Sequence, residues 1–393
     1  MDHARLISAR ARAIDASGIR RILELGHSLP DPINLSIGQP DFAVPEPIRA
    51  AGARAIEEGR NGYTLTQGDP DLIAAINGWL TKDLGWSCGT ADGPGSFVTS
   101  GTSGALTLAF MALLDPGSEC IIPDPYFVSY PHLATMCGAT AVACDTYPDF
   151  RMTAERVEPL INDKTRFVLL NAPSNPCGVV LSTPECHDLL DLCRSKGVLL
   201  ISDEIYDEFC YPEALTDAAA GDASLARPPS PARLAGADDA VLLIRGFGKS
   251  YGVTGWRLGY AAGPREVIGQ MSKLQQYTFV CAPAPLQRGV IACFDVDMSG
   301  PVDEYRRRRD LVVERLSAVT KVAAPGGAFY AFFEVPPKMG ITATQFVERA
   351  IEKSVLVIPG GVFSERDTHV RLSFAAPMTT LERGLDALVD LMS

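Results

Sequence analysis

The sequence predicts an α/β protein: a large domain with a mostly parallel, helix-covered sheet, joined to a smaller α+β domain. Two observations carry this. From about residue 70 to 265, helical patterns alternate with short apolar runs that end in turn residues, the pattern of a sheet covered by helices. Beyond about 285 comes a long charged helical stretch and then separate strand-like pieces, which read as a second unit.

Taken in order, "LIAAINGWLTKDL" and "GALTLAFMALL" read as helices. "ECIIPDPYF", "TRFVLLNAPSNPCG", "VLLISDEIY", "AVLLIRGFG" and "RLGYAAGP" read as strands whose polar residues collect at their ends, where ligands bind in such sheets. The Ala-, Pro- and Ser-rich stretch 210–238 interrupts the pattern and reads as a surface excursion. "DEYRRRRDLVVERLSAV" predicts a helix whose basic run, Arg306 to Arg309, forms a solvated face. "GAFYAFFEV", "VLVIPG" and "HVRLSFA" supply strands of the second domain.

The chain of 393 residues carries a net charge of −12, which argues against a general affinity for nucleic acid or anionic membranes. No stretch stays apolar for the roughly 18 residues of a spanning helix, and the first residues lack a secretory apolar core. A cytoplasmic protein follows as the expectation. The ten cysteines include no C-x-x-C pair, so reduced, mostly buried thiols are expected and no metal site.

Lys249 follows a core strand inside the glycine-rich turn "RGFGKSYG". A lysine there is costly unless it is paired, solvated or uncharged, and forming an imine with an aldehyde removes its charge. Asp203 follows four apolar residues, so its carboxylate needs a cation or serves as a cap; opposite a protonated ring nitrogen it would keep that nitrogen charged. Tyr206 lies three residues on. In "NAPSNPCG", Asn175 is either part of a rigid turn or a neutral donor to a phenolate-like oxygen. "VTSGTSGALTLAF" places Gly101, Thr102 and Ser103 at a helix start, either as a cap or as an anion site, for which Arg257 supplies a guanidinium.

These residues converge on a ligand with a phosphate, a ring nitrogen, a ring oxygen and an aldehyde. With "LSIGQPDF" at 35–42, "YTLTQG" at 63–68 and "HVRLSFA" at 369–375, the chain resembles the pyridoxal-phosphate-dependent aminotransferases of class I/II, the aspartate-aminotransferase-like family. The resemblance implies the transferase fold of that family, with a seven-stranded-type sheet in residues 45–284 and a small domain from 1–44 and 285–393. It implies that Lys249 carries pyridoxal 5'-phosphate and moves the proton, that Asp203 holds the ring nitrogen, and that Tyr206 and Asn175 bond the ring oxygen. It implies ring stacking by Phe127, phosphate binding by Gly101, Thr102, Ser103 and Arg257, and a contact from Tyr63 to the phosphate of a partner subunit in a homodimer with shared sites. Arg371, helped by the backbone of Gly38, would hold the substrate α-carboxylate.

The implied reaction moves an amino group from an amino acid to a 2-oxo acid by ping-pong kinetics. A carbon–sulfur lyase, or an elimination like that of aminocyclopropane-carboxylate synthase, would use the same residues. A non-catalytic cofactor-binding regulator would have lost Lys249 or gained a DNA-binding domain, and a Rossmann dehydrogenase would need a G-x-G-x-x-G. The sequence departs from the family at Gly246 and Gly248, where relatives often have serines, at Cys177 in place of a common threonine, and in "VFSERDTH". The turn "SGTSG" lacks a cation for a second substrate carboxylate, which favours neutral or aromatic donors. The segment 17–30 is expected to line the pocket.

Overall fold

The computed structural model describes residues 1, 3–16, 18–26, 29–215 and 227–393, with the backbone alone at 20, 21, 23 and 25. Twelve strands are present among them: β1 Ile33–Asn34, β2 Gly95–Thr99, β3 Glu119–Asp124, β4 Thr140–Asp145, β5 Thr165–Asn171, β6 Leu199–Asp203, β7 Val241–Gly246, β8 Gly259–Gly263, β9 Tyr330–Glu334, β10 Val355–Leu356, β11 Ile358–Pro359 and β12 His369–Ser373. Seven of them form one sheet in the order β2-β8-β7-β6-β5-β3-β4. Only β8 runs against the others, pairing antiparallel with both β2 and β7. The sequence expectation of a mostly parallel seven-stranded sheet is met.

Both faces of that sheet are covered, which is why its strands are continuous apolar runs. Along β5, Phe167 and Leu169 enter the core on one face, and Val168 and Leu170 enter the core on the other. Register fixes the polar ends: Asn171 lies opposite Asp203, and Asp203 opposite Ile244. The apolar runs therefore stop in line, and the residues that follow them meet at one edge. Helix starts are set by local chemistry, as at Asp69, whose side chain accepts from the Asp71 amide ahead of Pro70.

A second core gathers around β9, with Phe329, Tyr330, Phe332 and Phe333 buried beside Phe363 and Phe374. β9, β11 and β12 form an antiparallel sheet, and β1 pairs parallel with β10. That last pairing draws the chain from Leu35 to Gly38 across this second unit and toward the large sheet. "VLVIPG" thus makes two short strands with different partners rather than one.

Two sequence expectations need correction. In the helix Ser299–Ser317, Arg307 faces solvent and Arg306 is half-buried, but Arg308 and Arg309 are each only 8% exposed. Four successive residues on a helix sweep around it, so the run cannot share one solvated face. Arg308 donates to both carboxylate oxygens of Asp41 at 2.8 and 2.9 Å, and Arg309 to the Pro325 carbonyl. In the expected surface excursion, residues 216–226 lie outside the described residues. Pro228 to Ala232, in contrast, are buried, because Ser230 donates to Glu204 and Trp86 to the Ala232 carbonyl.

Candidate active site

The strand ends enclose a cavity of about 260 Å³. Its wall includes Gly38, Gly101, Thr102, Ser103, Phe127, Asn175, Asp203, Tyr206, Lys249, Arg257 and Arg371. Every site residue expected from the sequence is therefore brought together except Tyr63. That side chain is 87% exposed and lies outside the cavity of its own chain.

Lys249 sits in a one-turn helix, Phe247–Ser250, directly after β7. Its Nζ donates to the Gly38 carbonyl. Burial, followed by the positive charges of Arg371 and Arg257, lowers its pKa to about 8. The neutral amine is the form that attacks an aldehyde. Cofactor uptake by the cofactor-free protein should therefore quicken about tenfold per pH unit below pH 8 and level off above it; stopped-flow absorbance at constant ionic strength checks this.

Asp203 ends β6 and is fully enclosed. Burial raises its pKa to about 6, opposed by hydrogen bonds from the Tyr130 hydroxyl and the Ile205 amide. Tyr130 donates to Oδ2 at 2.7 Å, whereas Oδ1 is buried without a partner. A buried acceptor left unpaired costs free energy, so this oxygen calls for a donor in the cavity.

At the opposite end, Gly101 opens the helix Gly101–Leu113 with φ +68°. A Cβ there would lie 2.6 Å from an Arg257 guanidinium nitrogen. Glycine thus lets the arginine fork approach the amides of the helix start, which makes a concentrated anion site. Arg257 itself is turned by a left-handed φ of +54° and donates to the Thr254 carbonyl at 3.0 Å. Nearby, a side chain at Gly246 would need its neighbours to move: a Cβ would come within 2.8 Å of the Ile205 Cδ1 methyl and 2.9 Å of the Thr102 Cγ2 methyl.

Arg371 on β12 is buried and wedged between the rings of Tyr330 and Phe363, at 4.6 and 4.7 Å. It donates to Asn175 Oδ1 at 3.0 Å and to the Ser36 carbonyl at 2.8 Å. Its Nε has no partner. Asn175 is steadied in turn, because its amide donates to Asn171 Oδ1 at 2.8 Å.

Sequence reasoning missed Tyr130, Asn171 and Tyr330. Tyr130 lies three residues past Phe127, just inside the helix Ser129–Cys137, and nothing in "YFVSYPHL" marks it as a partner of Asp203. Asn171 opens the loop already singled out, while Tyr330 read only as a strand residue. The expected pocket segment 17–30 contributes Ile19; residues 17, 27 and 28 lie outside the described residues.

The cavity needs a donor at Asp203, an anion at Arg257 and an electrophile for a neutral Lys249, and pyridoxal 5'-phosphate has a ring nitrogen, a phosphate and an aldehyde in those roles. The fold and cavity define a pyridoxal-phosphate enzyme. The chain belongs to the class I and II aminotransferases: the family model described as "Aminotransferase class I and II" matches residues 30–388. It is 35% identical over 368 residues to an aspartate aminotransferase of Thermotoga maritima, covering 92% of both chains. It is 32% identical to the aspartate/prephenate aminotransferase of Thermus thermophilus, covering 97% of both. The solved structure of aspartate aminotransferase from Thermus thermophilus with maleate superposes with a TM-score of 0.88 at 32% identity, covering 98% of this chain and 99% of that one. The protein is thus a pyridoxal-phosphate-dependent aminotransferase that moves an α-amino group from an amino acid to a 2-oxo acid.

Proposed function

We propose that Lys249 is the group that both holds the cofactor and moves the proton of the reaction. The supporting observation is its placement: a buried amine with a pKa of about 8 that lines one cavity with the orphaned Asp203 oxygen and the two arginines. Bound pyridoxal phosphate supplies an aldehyde carbon for covalent attachment and a ring that draws electrons from the substrate's Cα. Asp203 accepts from the ring nitrogen and keeps it protonated. Phe127 would pack against the ring, and Tyr206 and Asn175 would bond its oxygen. Because Asn175 Oδ1 already accepts from Arg371, its Nδ2 is the end that donates. Gly101, Thr102, Ser103 and Arg257 hold the phosphate.

Arg371 takes the α-carboxylate, beside the backbone of Gly38. The unpaired Nε and the stacked guanidinium present a planar fork to it. Once freed, the Lys249 amine would be the base that takes the substrate's Cα proton and gives it to the carbon that had been the cofactor's aldehyde, two bonds away. Arg371 would hold the carboxylate of the second, oxo-acid substrate as it holds that of the first, so both substrates would use one site in turn. Replacing Arg371 with lysine keeps the charge and loses the fork; kcat/KM should fall about 10²-fold, most of it in KM, while the cofactor spectrum is unchanged.

We further propose a homodimer with shared sites. Tyr63, Leu65, Tyr277 and Val280 are exposed, and Gln275 donates to the Thr66 carbonyl at 2.7 Å, which ties the two segments that carry them; exposed large apolar side chains of this kind are what a partner subunit would cover. Tyr63 would reach a partner's phosphate. Residues 45–284 would form the cofactor-holding unit and 1–44 with 285–393 the small one; the helix Ala284–Ile291, which spans that boundary, packs on Glu46–Glu57 of the larger unit. Ten cysteines, all free, support a reducing, cytoplasmic setting.

For the donor we infer a neutral or aromatic side chain. Among the described residues lining the cavity, the cations are Lys249, Arg257 and Arg371, and each is assigned. Aspartate is the second reading, favoured by the names of the relatives. Initial rates across a panel of amino acids, with 2-oxoglutarate or pyruvate as acceptor, separate the two. Parallel double-reciprocal lines support the shared site, whereas ammonia release without acceptor would point to a lyase.

A further inference from the structure

Tyr330 is a cavity residue whose ring stacks on Arg371 and whose hydroxyl has no role assigned so far. It is buried at the start of β9 and touches three groups of the site at once. Its hydroxyl lies 3.0 Å from that of Tyr206. Its ring faces the Arg371 guanidinium at 4.6 Å. A Cβ on Gly38, whose carbonyl accepts from Lys249, would run into the Tyr330 hydroxyl.

Between two phenols only one proton lies on the shared bond, and either hydroxyl can supply it. The ring oxygen of the cofactor is an acceptor. If Tyr206 spends its proton on Tyr330, it faces that oxygen with lone pairs alone, and the oxygen keeps Asn175 as its one donor of the two. If Tyr330 donates to Tyr206, the Tyr206 proton is free for the ring oxygen and every group is satisfied. A hydroxyl that accepts a bond also donates more strongly.

We propose that Tyr330 is a positioning residue with two separable functions: its hydroxyl turns Tyr206 into a donor to the cofactor's ring oxygen, and its ring braces Arg371 for the substrate carboxylate. This rests on the assignments of Tyr206 and Arg371 above. Donation from Tyr206 stabilises negative charge on the ring oxygen. The nitrogen of the covalent lysine linkage beside that oxygen then loses its proton at lower pH.

The test is a spectrophotometric pH titration of the purified holoenzyme in its resting form, for wild type, Tyr206→Phe, Tyr330→Phe and the double variant. The titration midpoint should rise in Tyr206→Phe. It should rise in Tyr330→Phe by about half a pH unit, and the double variant should match Tyr206→Phe. KM for the amino donor should stay near wild type in Tyr330→Phe and rise roughly threefold to tenfold in Tyr330→Leu, which removes the ring from Arg371. A midpoint that moves in Tyr206→Phe but stays put or falls in Tyr330→Phe overturns the hydroxyl function. Unchanged KM in Tyr330→Leu overturns the bracing function. No movement in Tyr206→Phe removes the assignment underneath, and the hydroxyl function with it.

Discussion

Replacing Lys249 with alanine should stop amino-group transfer, lowering kcat by about 10⁴-fold, the upper range for one positioned proton-transfer group. The substitution removes both the covalent anchor and the only amine that lines the cavity among the described residues. Cofactor should still be taken up, because Arg257, the helix start at Gly101 and Asp203 are untouched. Borohydride reduction followed by mass spectrometry reads this directly: wild type gains the mass of the cofactor on Lys249, and the variant does not. The cofactor-free variant should fold normally, since burial already penalises the charged amine.

Asp203→Asn should be the next most damaging change, reducing kcat by about 10³-fold, the scale seen when a preorganised electrostatic group is removed. The amide is the same shape and can still accept from Tyr130, but it has no charge with which to keep a ring nitrogen protonated. The sign of its stability effect differs from that of its catalytic effect. In the cofactor-free protein the folded pKa of Asp203, about 6, lies above the ordinary aspartate value of 3.8. The folded state therefore binds the proton more tightly, and this residue's contribution to stability falls as pH rises from about 4 to 6. At pH 7 the cofactor-free Asn variant should melt no lower than wild type. A lower melting temperature would mean that Asp203 serves the fold rather than the cofactor.

The parts of the site that strand ends position were legible in the sequence. An apolar run followed by Asp203, and another followed by the turn of Lys249, mark where buried strands emerge. Residues placed by long-range packing were not legible. Tyr130 reaches Asp203 across 73 positions, and Tyr330 reaches Tyr206 across 124; no local periodicity encodes either contact. The basic run was misread for a related reason. Composition gave it to solvent, but Arg308 is turned inward to Asp41, which also accepts from Tyr305 at 2.7 Å. That pair ties the Gly38 segment to the Ser299–Ser317 helix, so part of an apparent surface run helps to set the substrate end of the cavity.

The most direct test of the central claim is the absorbance spectrum of the purified protein before and after one amino acid is added with no oxo acid present. A visible band that bleaches to the near-ultraviolet, with one 2-oxo acid formed per site and no ammonia, is the result predicted for nitrogen transfer through Lys249. A band that persists while ammonia and oxo acid accumulate, or no band after pyridoxal phosphate is supplied, would contradict it.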